Sequence, residues 1–207
     1  MPRNSSSKRL PRMTEAEYLL AEETSTVRHE YVDGYLFEMT GATDAHNVIC
    51  GNLFFVIYGH LEGSSCRAYI NDMKVKIESA KSYYYPDIMV SCEQFEAKSV
   101  FKNAPVLLIE VLSPSTSQVD RREKLMAYGR VESVCEYLVV YQDRQRVELY
   151  CKDKNSDWEL TVFSGTEDLV VKSLPCGEML LSFSTIYKGY NPPLRVKEDE
   201  YSYYAIY

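Results

Sequence analysis

No stretch of this 207-residue sequence is apolar for long enough to cross a membrane. The longest apolar runs are Val106 to Ile109 and Asn52 to Tyr58, against the roughly 18 residues that a spanning helix needs. Membrane insertion is excluded. A secretory signal is missing too: residues 1–12 carry Arg3, Lys8, Arg9 and Arg12, no acid and a Ser5-Ser6-Ser7 run, without the apolar segment that such signals require. They predict a flexible basic arm over residues 1–13. Cys50, Cys66, Cys92, Cys135, Cys151 and Cys176 form no C-x-x-C pair, their gaps being 16, 26, 43, 16 and 25, which excludes zinc-finger spacing. Most lie in apolar segments, where a free thiol acts as a small core residue. The expectation is six reduced thiols in a cytoplasmic protein. There is no G-x-x-x-x-G-K-[ST] phosphate loop and no internal repeat, so ATP-driven translocation has no support.

Basic charge is scarce. Lys and Arg number 23 against 30 Asp and Glu, a formal charge of −7; without the arm's four basic residues, 19 against 30 leaves −11. A chain this acidic cannot cover nucleic acid with a broad basic face. Phosphates, if handled, need a focused site where a divalent cation offsets the charge. What is present is the composition of a folded domain, 45% hydrophobic and 26% charged, with enough length for one full core.

Thr14-Glu15-Ala16-Glu17 is a capping box that predicts a helix from Glu15 to about Glu22. Asp33-Gly34 between two apolar segments predicts a hairpin. Ala45 to Leu61 reads as the main buried helix, capped by Asp44 and stopped by Gly63. Strands are expected over Cys66–Ile77, Tyr83–Val90 and Pro105–Leu112, the last apolar enough to be covered on both faces. A helix from Val119 to Arg130, capped by Ser117, precedes strands over 136–141, 147–150, 159–163 and 169–171. The order predicts a single α/β or α+β domain over residues 14–188, a mixed β-sheet flanked by helices. The Tyr-rich segment 189–207, with Tyr201, Tyr203, Tyr204 and Tyr207, reads either as a frayed tail or as a segment docked on a partner subunit.

Two acids break the apolar pattern. Asp87 follows Pro86 in a strand, and Glu110 interrupts the most apolar strand of the chain. A carboxylate there is costly unless paired, hydrogen-bonded or bound to metal. Proline lacks a ladder donor, so Pro86 marks an edge, a strand start or a bulge. Read alone, Asp87 suits a ladder-end hydrogen bond and Glu110 a buried pair with Arg or Lys. Together on neighbouring strands they suit Mg²⁺ or Mn²⁺. Asp72 and Lys74, two residues apart, share a strand face, where they either extend such a site or pair with each other.

The stretches His29-Glu30-Tyr31-Val32-Asp33-Gly34, Tyr84-Tyr85-Pro86-Asp87 and Ile109-Glu110-Val111-Leu112-Ser113-Pro114-Ser115-Thr116 resemble a bacterial family of restriction-endonuclease-like proteins in the PD-(D/E)XK nuclease superfamily. So do Asp120-Arg121-Arg122-Glu123-Lys124-Leu125 with Tyr128, and Glu136-Tyr137. The similarity runs from about Thr14 to Tyr187. It implies a restriction-endonuclease-like fold and metal-assisted phosphodiester hydrolysis, with DNA as the substrate and a homodimer as the assembly. The superfamily's Pro-Asp maps to Pro86-Asp87 and its next acid to Glu110. Its lysine should stand two residues later, where this chain has Leu112; the resembling family's lysine maps to Lys124 in the following helix. The resemblance thus implies Asp87 and Glu110 as metal ligands and Lys124 as the third catalytic group. Without it, Lys124 reads as a solvated partner of Asp120. Glu30 and His46 are candidates for a further acid or its substitute, or else a solvent-facing strand residue and a helix-start hydrogen-bonder. Arg121 and Arg122 are candidates for phosphate contacts. The alternative to an enzyme is an inactive descendant of the fold, a nucleic-acid or protein interaction module; a purely structural ion-pair cluster is the third reading.

Overall fold

In the computed structural model, which describes residues 12–39, 41–113, 118–165 and 167–194, the hairpin forms as its turn chemistry dictates. Asp33 and Gly34 both take positive φ, 43° and 96°, the pair that a two-residue type I′ turn requires. They join β1 (His29–Val32) to β2 (Tyr35–Glu38). Thr14 and Glu17 close the capping box of α1 (Glu15–Thr24), in which Thr14 N donates to Glu17 Oε2 at 2.7 Å. The main helix, α2 (Asp44–His60), is capped by Thr43 rather than Asp44. Thr43 Oγ1 accepts from His46 N, while Asp44 sits in the first turn, where its charge suits the helix dipole.

The strands expected over Cys66–Ile77 and Tyr83–Val90 are each split in two, and the halves belong to different sheets. The first becomes β3 (Arg67–Ile70) and β4 (Lys74–Ile77), the second β5 (Ser82–Tyr84) and β6 (Ile88–Ser91). The first break is at Asn71, in the left-handed region with φ 59°, a conformation that asparagine tolerates. Asp72 therefore lies between strands and not on one. The second break is at Tyr85-Pro86-Asp87, where Pro86 has no ladder donor. The two breaks lie side by side, since Asn71 N donates to Asp87 O at 3.0 Å.

β4 and β5 join the hairpin in a five-stranded sheet of order β2-β1-β5-β4-β7, with β7 at Phe101–Lys102. β3 and β6 join a six-stranded sheet, β11-β10-β9-β8-β6-β3, through β8 (Pro105–Leu112), β9 (Glu136–Tyr141), β10 (Arg146–Lys152) and β11 (Trp158–Ser164). β8 runs antiparallel to β6 and parallel to β9. A small pair, β12 (Leu169–Val171) with β13 (Met179–Leu181), and the short α4 (Phe183–Ile186) complete the mixed α+β domain. Neither β13 nor α4 had a signal in the periodicity, being only three and four residues long.

The six-stranded sheet is covered on both faces, as the apolar run of β8 demands. Leu107, Ile109 and Val111 pack with Ile49, Cys50, Leu53 and Ile57 of α2. Leu108 packs on the other face with Ala127, Tyr128 and Val131, around α3 (Gln118–Gly129). Each such aliphatic side chain contributes roughly 1.5–3 kcal/mol. Glu110 shares the α3 face with Leu108 by strand alternation. The end of α3 is fixed by Trp158, whose Nε1 donates to Leu125 O at 3.2 Å. A Cβ at Gly129 would stand 2.9 Å from that nitrogen, so the close approach needs glycine.

One thiol expectation fails: Cys66 and Cys92 form a disulfide, with Cα atoms 4.0 Å apart. The β3–β6 register pairs Arg67 with Ser91, and one further step sets these two cysteines opposite each other, a pairing that a gap of 26 residues cannot reveal. Cys50, Cys135, Cys151 and Cys176 are free. The N-terminal arm through residue 11, the Ser117 cap and the tyrosines at 201–207 lie outside the described residues. The start of the expected tail is held by its own chain: Gln145 N donates to Pro193 O at 2.9 Å and Gln145 Nε2 to Asn191 Oδ1 at 2.7 Å. Among the described residues no helix is long and apolar enough to cross a membrane.

Candidate active site

The junction of the two sheets opens into a cavity of about 340 Å³ whose lining includes Glu30, His46, Asp87, Glu110, Arg121 and Lys124. Asp87 arrives there because the chain breaks at Pro86 and then enters β6. The pair Ile88↔Ile109, extended by one residue, brings it alongside Glu110. Its carboxylate is anchored by the β8 backbone, with Val111 N donating to Asp87 Oδ2 at 2.7 Å. His46, in the first turn of α2, places Nε2 3.2 Å from the same oxygen. Burial depresses the His46 imidazole, but the Asp87 hydrogen bond and the charges of Asp87 and Glu110 outweigh it, so its pKa lies above the ordinary value.

Glu110 is only 7% exposed. Lys124 Nζ donates to both of its oxygens at 3.0 Å, and the Tyr128 hydroxyl donates to Oε1 at 2.7 Å. Lys124 and Tyr128 are four residues apart on α3, so both reach the sheet from one helix face. Burial pushes the Glu110 carboxyl up, to about 8; Lys124 pulls it back while Asp87 and Glu30 add repulsion. Glu30, from β1 of the other sheet, sets Oε1 3.0 Å from Lys124 Nζ. One ammonium therefore bridges two buried acids.

Of the residues singled out by sequence, Asp87, Glu110, Lys124, His46 and Glu30 meet at this cavity. Glu30 is buried and not solvent-facing. Lys124 is buried against the two acids rather than solvated. Asp72 sits at the rim, highly exposed and paired with Arg28 at 3.2 Å. Lys74 is buried and does not line the cavity itself; it donates to the hydroxyl of Tyr85, a lining residue, at 3.2 Å. The two neither pair with each other nor share a strand. Arg121 lines the cavity but directs its guanidinium to Glu148, at 3.1 Å, and to the Tyr141 hydroxyl. Arg122 is exposed on α3.

Sequence reasoning gave no site role to Tyr128 or Cys50. Tyr128 had a signal in its spacing of four from Lys124. Cys50 had the same spacing from His46, and its Sγ lies 3.6 Å from His46 Nδ1. His46, Cys50 and Asp87 each offer a donor atom, all within 4.8 Å of one another. Carboxylates, an imidazole and an ammonium around one concavity can hold a divalent cation and steady the charge that develops on a phosphate.

The model of the Uma2 family, described as "Putative restriction endonuclease", matches residues 15–181 of this chain. Two proteins of Synechocystis sp. (strain PCC 6803) are similar. "Uncharacterized protein slr1290" is 34% identical over 189 residues, 90% of this chain and 97% of that protein. "Uncharacterized protein sll1609" is 32% identical over 156 residues, 74% and 88% of the two. The crystal structure of a "putative nuclease belonging to DUF820" from Anabaena variabilis has the same fold, with a TM-score of 0.67 over 84% of this chain and 97% of that one, at 22% identity.

Proposed function

The chain belongs to the Uma2 family, and from that premise we propose that it is a divalent-metal-dependent endonuclease that hydrolyses phosphodiester bonds in DNA. The observation that carries this reading is the meeting of Asp87, Glu110 and Lys124, from a strand break, a central strand and a helix, on one cavity wall. Within a lining of mixed charge, the carboxylates of Asp87 and Glu110 are the groups that fit a cation. Asp87 and Glu110 would hold Mg²⁺ or Mn²⁺, which when bound activates water and offsets phosphate charge. Lys124 is fixed by Glu110 and Glu30 and stabilises the charge that develops on the scissile phosphate. Tyr128 holds the Glu110 carboxylate in place through its 2.7 Å hydrogen bond. His46 steadies the Asp87 carboxylate from α2, with Nε2 3.2 Å from Oδ2. Exposed Arg122 supplies a phosphate contact. Arg121 is instead committed to Glu148 and positions α3.

Twofold cleavage of a duplex calls for two sites related by a dyad, so the enzyme works as a homodimer. Plasmid nicking with Mg²⁺ or Mn²⁺ tests the reading. The expected result is cleavage that is lost in Asp87→Ala and in Glu110→Gln while the fold is retained. DNA binding by the parent protein with no cleavage under either ion would overturn it and leave an interaction module.

A further inference from the structure

We propose that the cation site is completed from α2, as a thiolate–imidazole–carboxylate set of Cys50, His46 and Asp87 that takes a borderline-soft divalent metal of the Zn²⁺, Co²⁺ or Fe²⁺ class. The proposal deepens the nuclease reading and rests on it for its purpose, though not for its chemistry. Oxygen-only sites suit Mg²⁺ and Mn²⁺, whereas imidazole and thiolate donors select later transition metals. Glu110 has both oxygens engaged by Lys124 and one by Tyr128 as well, so for a softer ion the donors at hand beside Asp87 are those of α2. Asp87 faces a different neighbourhood. His46 Nε2 is 3.2 Å from Asp87 Oδ2, and Cys50 Sγ is 4.0 Å from that same nitrogen.

With metal–donor bonds of about 2.0–2.3 Å, a tetrahedral ion needs donor atoms roughly 3.3–3.6 Å apart. The 3.2 Å between His46 Nε2 and Asp87 Oδ2 is near that range, whereas Cys50 Sγ stands 3.6 Å from Nδ1 and 4.0 Å from Nε2, so the imidazole must turn to set one nitrogen between the carboxylate and the sulfur. Helix geometry supplies the pairing: residues 46 and 50 are one turn apart, and both look onto the sheet beside Asp87. Burial grades across the set. Cys50 is 2% exposed and packs into the α2 core cluster at the rear, while His46 and Asp87 line the cavity. Three protein donors with the fourth position toward a cavity is the arrangement of a site that keeps a place for water or substrate. The ligating sulfur is the thiolate, so metal uptake releases the Cys50 proton to solvent.

The test is Co²⁺ titration of the full chain, followed by absorption without any nucleic acid. The expected result is sulfur-to-metal charge-transfer absorption in the near ultraviolet at one equivalent. It should be lost in Cys50→Ser but kept in Cys135→Ser and Cys176→Ser, the two exposed free thiols. His46→Gln should weaken Co²⁺ binding at least about tenfold, since even outer partners of a ligand change affinity about 10–100-fold. Circular dichroism of each variant checks that it folds. The inference is overturned if the band is absent, if it persists in Cys50→Ser, or if Asp87→Ala leaves Co²⁺ affinity unchanged. Plasmid nicking with Mg²⁺ in a protein that shows no such band would overturn the inference and spare the nuclease reading. The band without cleavage under any ion would support the inference and end the nuclease reading.

Discussion

Lys124 Nζ lies 3.0 Å from each carboxylate oxygen of Glu110, and the same ammonium lies 3.0 Å from Glu30 Oε1. One helix residue thus holds together two acids that belong to different sheets. All three side chains are nearly enclosed, at 11%, 9% and 6% exposure. Removing the ammonium leaves two buried carboxyl groups without their counter-charge, and loss of one partner in such a pair costs about 3–5 kcal/mol. Lys124→Met is therefore expected to lower the stability to urea at neutral pH by that amount. Adding Glu110→Gln should recover part of it, giving a coupling energy of about 1–3 kcal/mol in a double-mutant cycle. Strictly additive losses would show that the contact contributes nothing as a pair.

The second buried acid network has a predictable pH signature. Glu148 accepts from the Tyr141 and Tyr150 hydroxyls at 2.8 and 2.9 Å and pairs with Arg121 and Arg146 at 3.1 and 2.9 Å. Burial acts to raise its carboxyl, but the Arg121 charge and the two hydroxyls outweigh burial, so its folded pKa lies below the ordinary value. A depressed folded value means that the unfolded chain binds the proton first. The stabilisation is complete above the unfolded carboxylate pKa of about 4.3 and is lost as pH falls below it. Thermal unfolding from pH 7 to pH 3 should show a steep acid limb in the parent. Glu148→Gln should be less stable at pH 7 and show a flatter limb; parallel limbs would contradict the assignment.

How much of this was legible follows from what each signal depends on. The hairpin at Asp33-Gly34 and the capping box at Thr14 are local chemistry, and both stand where the residues put them. Asp87 and Glu110 stood out because a charge in an apolar strand needs a partner. The partner itself was less readable. Lys124 as a solvated residue and Lys124 between two buried acids have the same sequence, and only the packing of α3 on the sheet separates them. Glu30 gave no sign of burial, because its environment comes from a different sheet. The split of two expected strands at Asn71 and Pro86 creates the cavity, yet period-two alternation does not register a change of sheet. Cys50 read as core, which it is; its nearness to His46 and Asp87 depends on how α2 lies across β8.

The Cys66–Cys92 bond closes a loop of 26 residues. On the chain-entropy model, such a link stabilises by about 3–4 kcal/mol through restriction of the unfolded chain. Denaturant unfolding with and without reductant should therefore differ by about that amount. Cys66→Ala/Cys92→Ala should match the reduced parent and respond to reductant no further. Equal midpoints in the two conditions would show that the pair does not cross-link in solution.

Leu112 occupies the position where the resembled superfamily carries its lysine. Leu112 lies two residues after Glu110 on β8, on the same strand face, and it lines the cavity. A lysine there would approach Glu110 along the sheet, whereas Lys124 approaches from the helix. Lys124→Met should lower plasmid nicking at least about a hundredfold, the scale of losing one charge-stabilising donor in an active site. Introducing Leu112→Lys into that variant should restore about tenfold of the lost rate, because the ammonium returns to the same carboxylate. The change also removes an apolar side chain packed against the aromatic cluster around Tyr84 and Tyr128, at a cost of about 1–3 kcal/mol, so the comparison is made well below the unfolding temperature. A folded double variant with no recovered cleavage would mean that the helical position of Lys124 matters beyond its charge, and that the two lysine placements are not interchangeable.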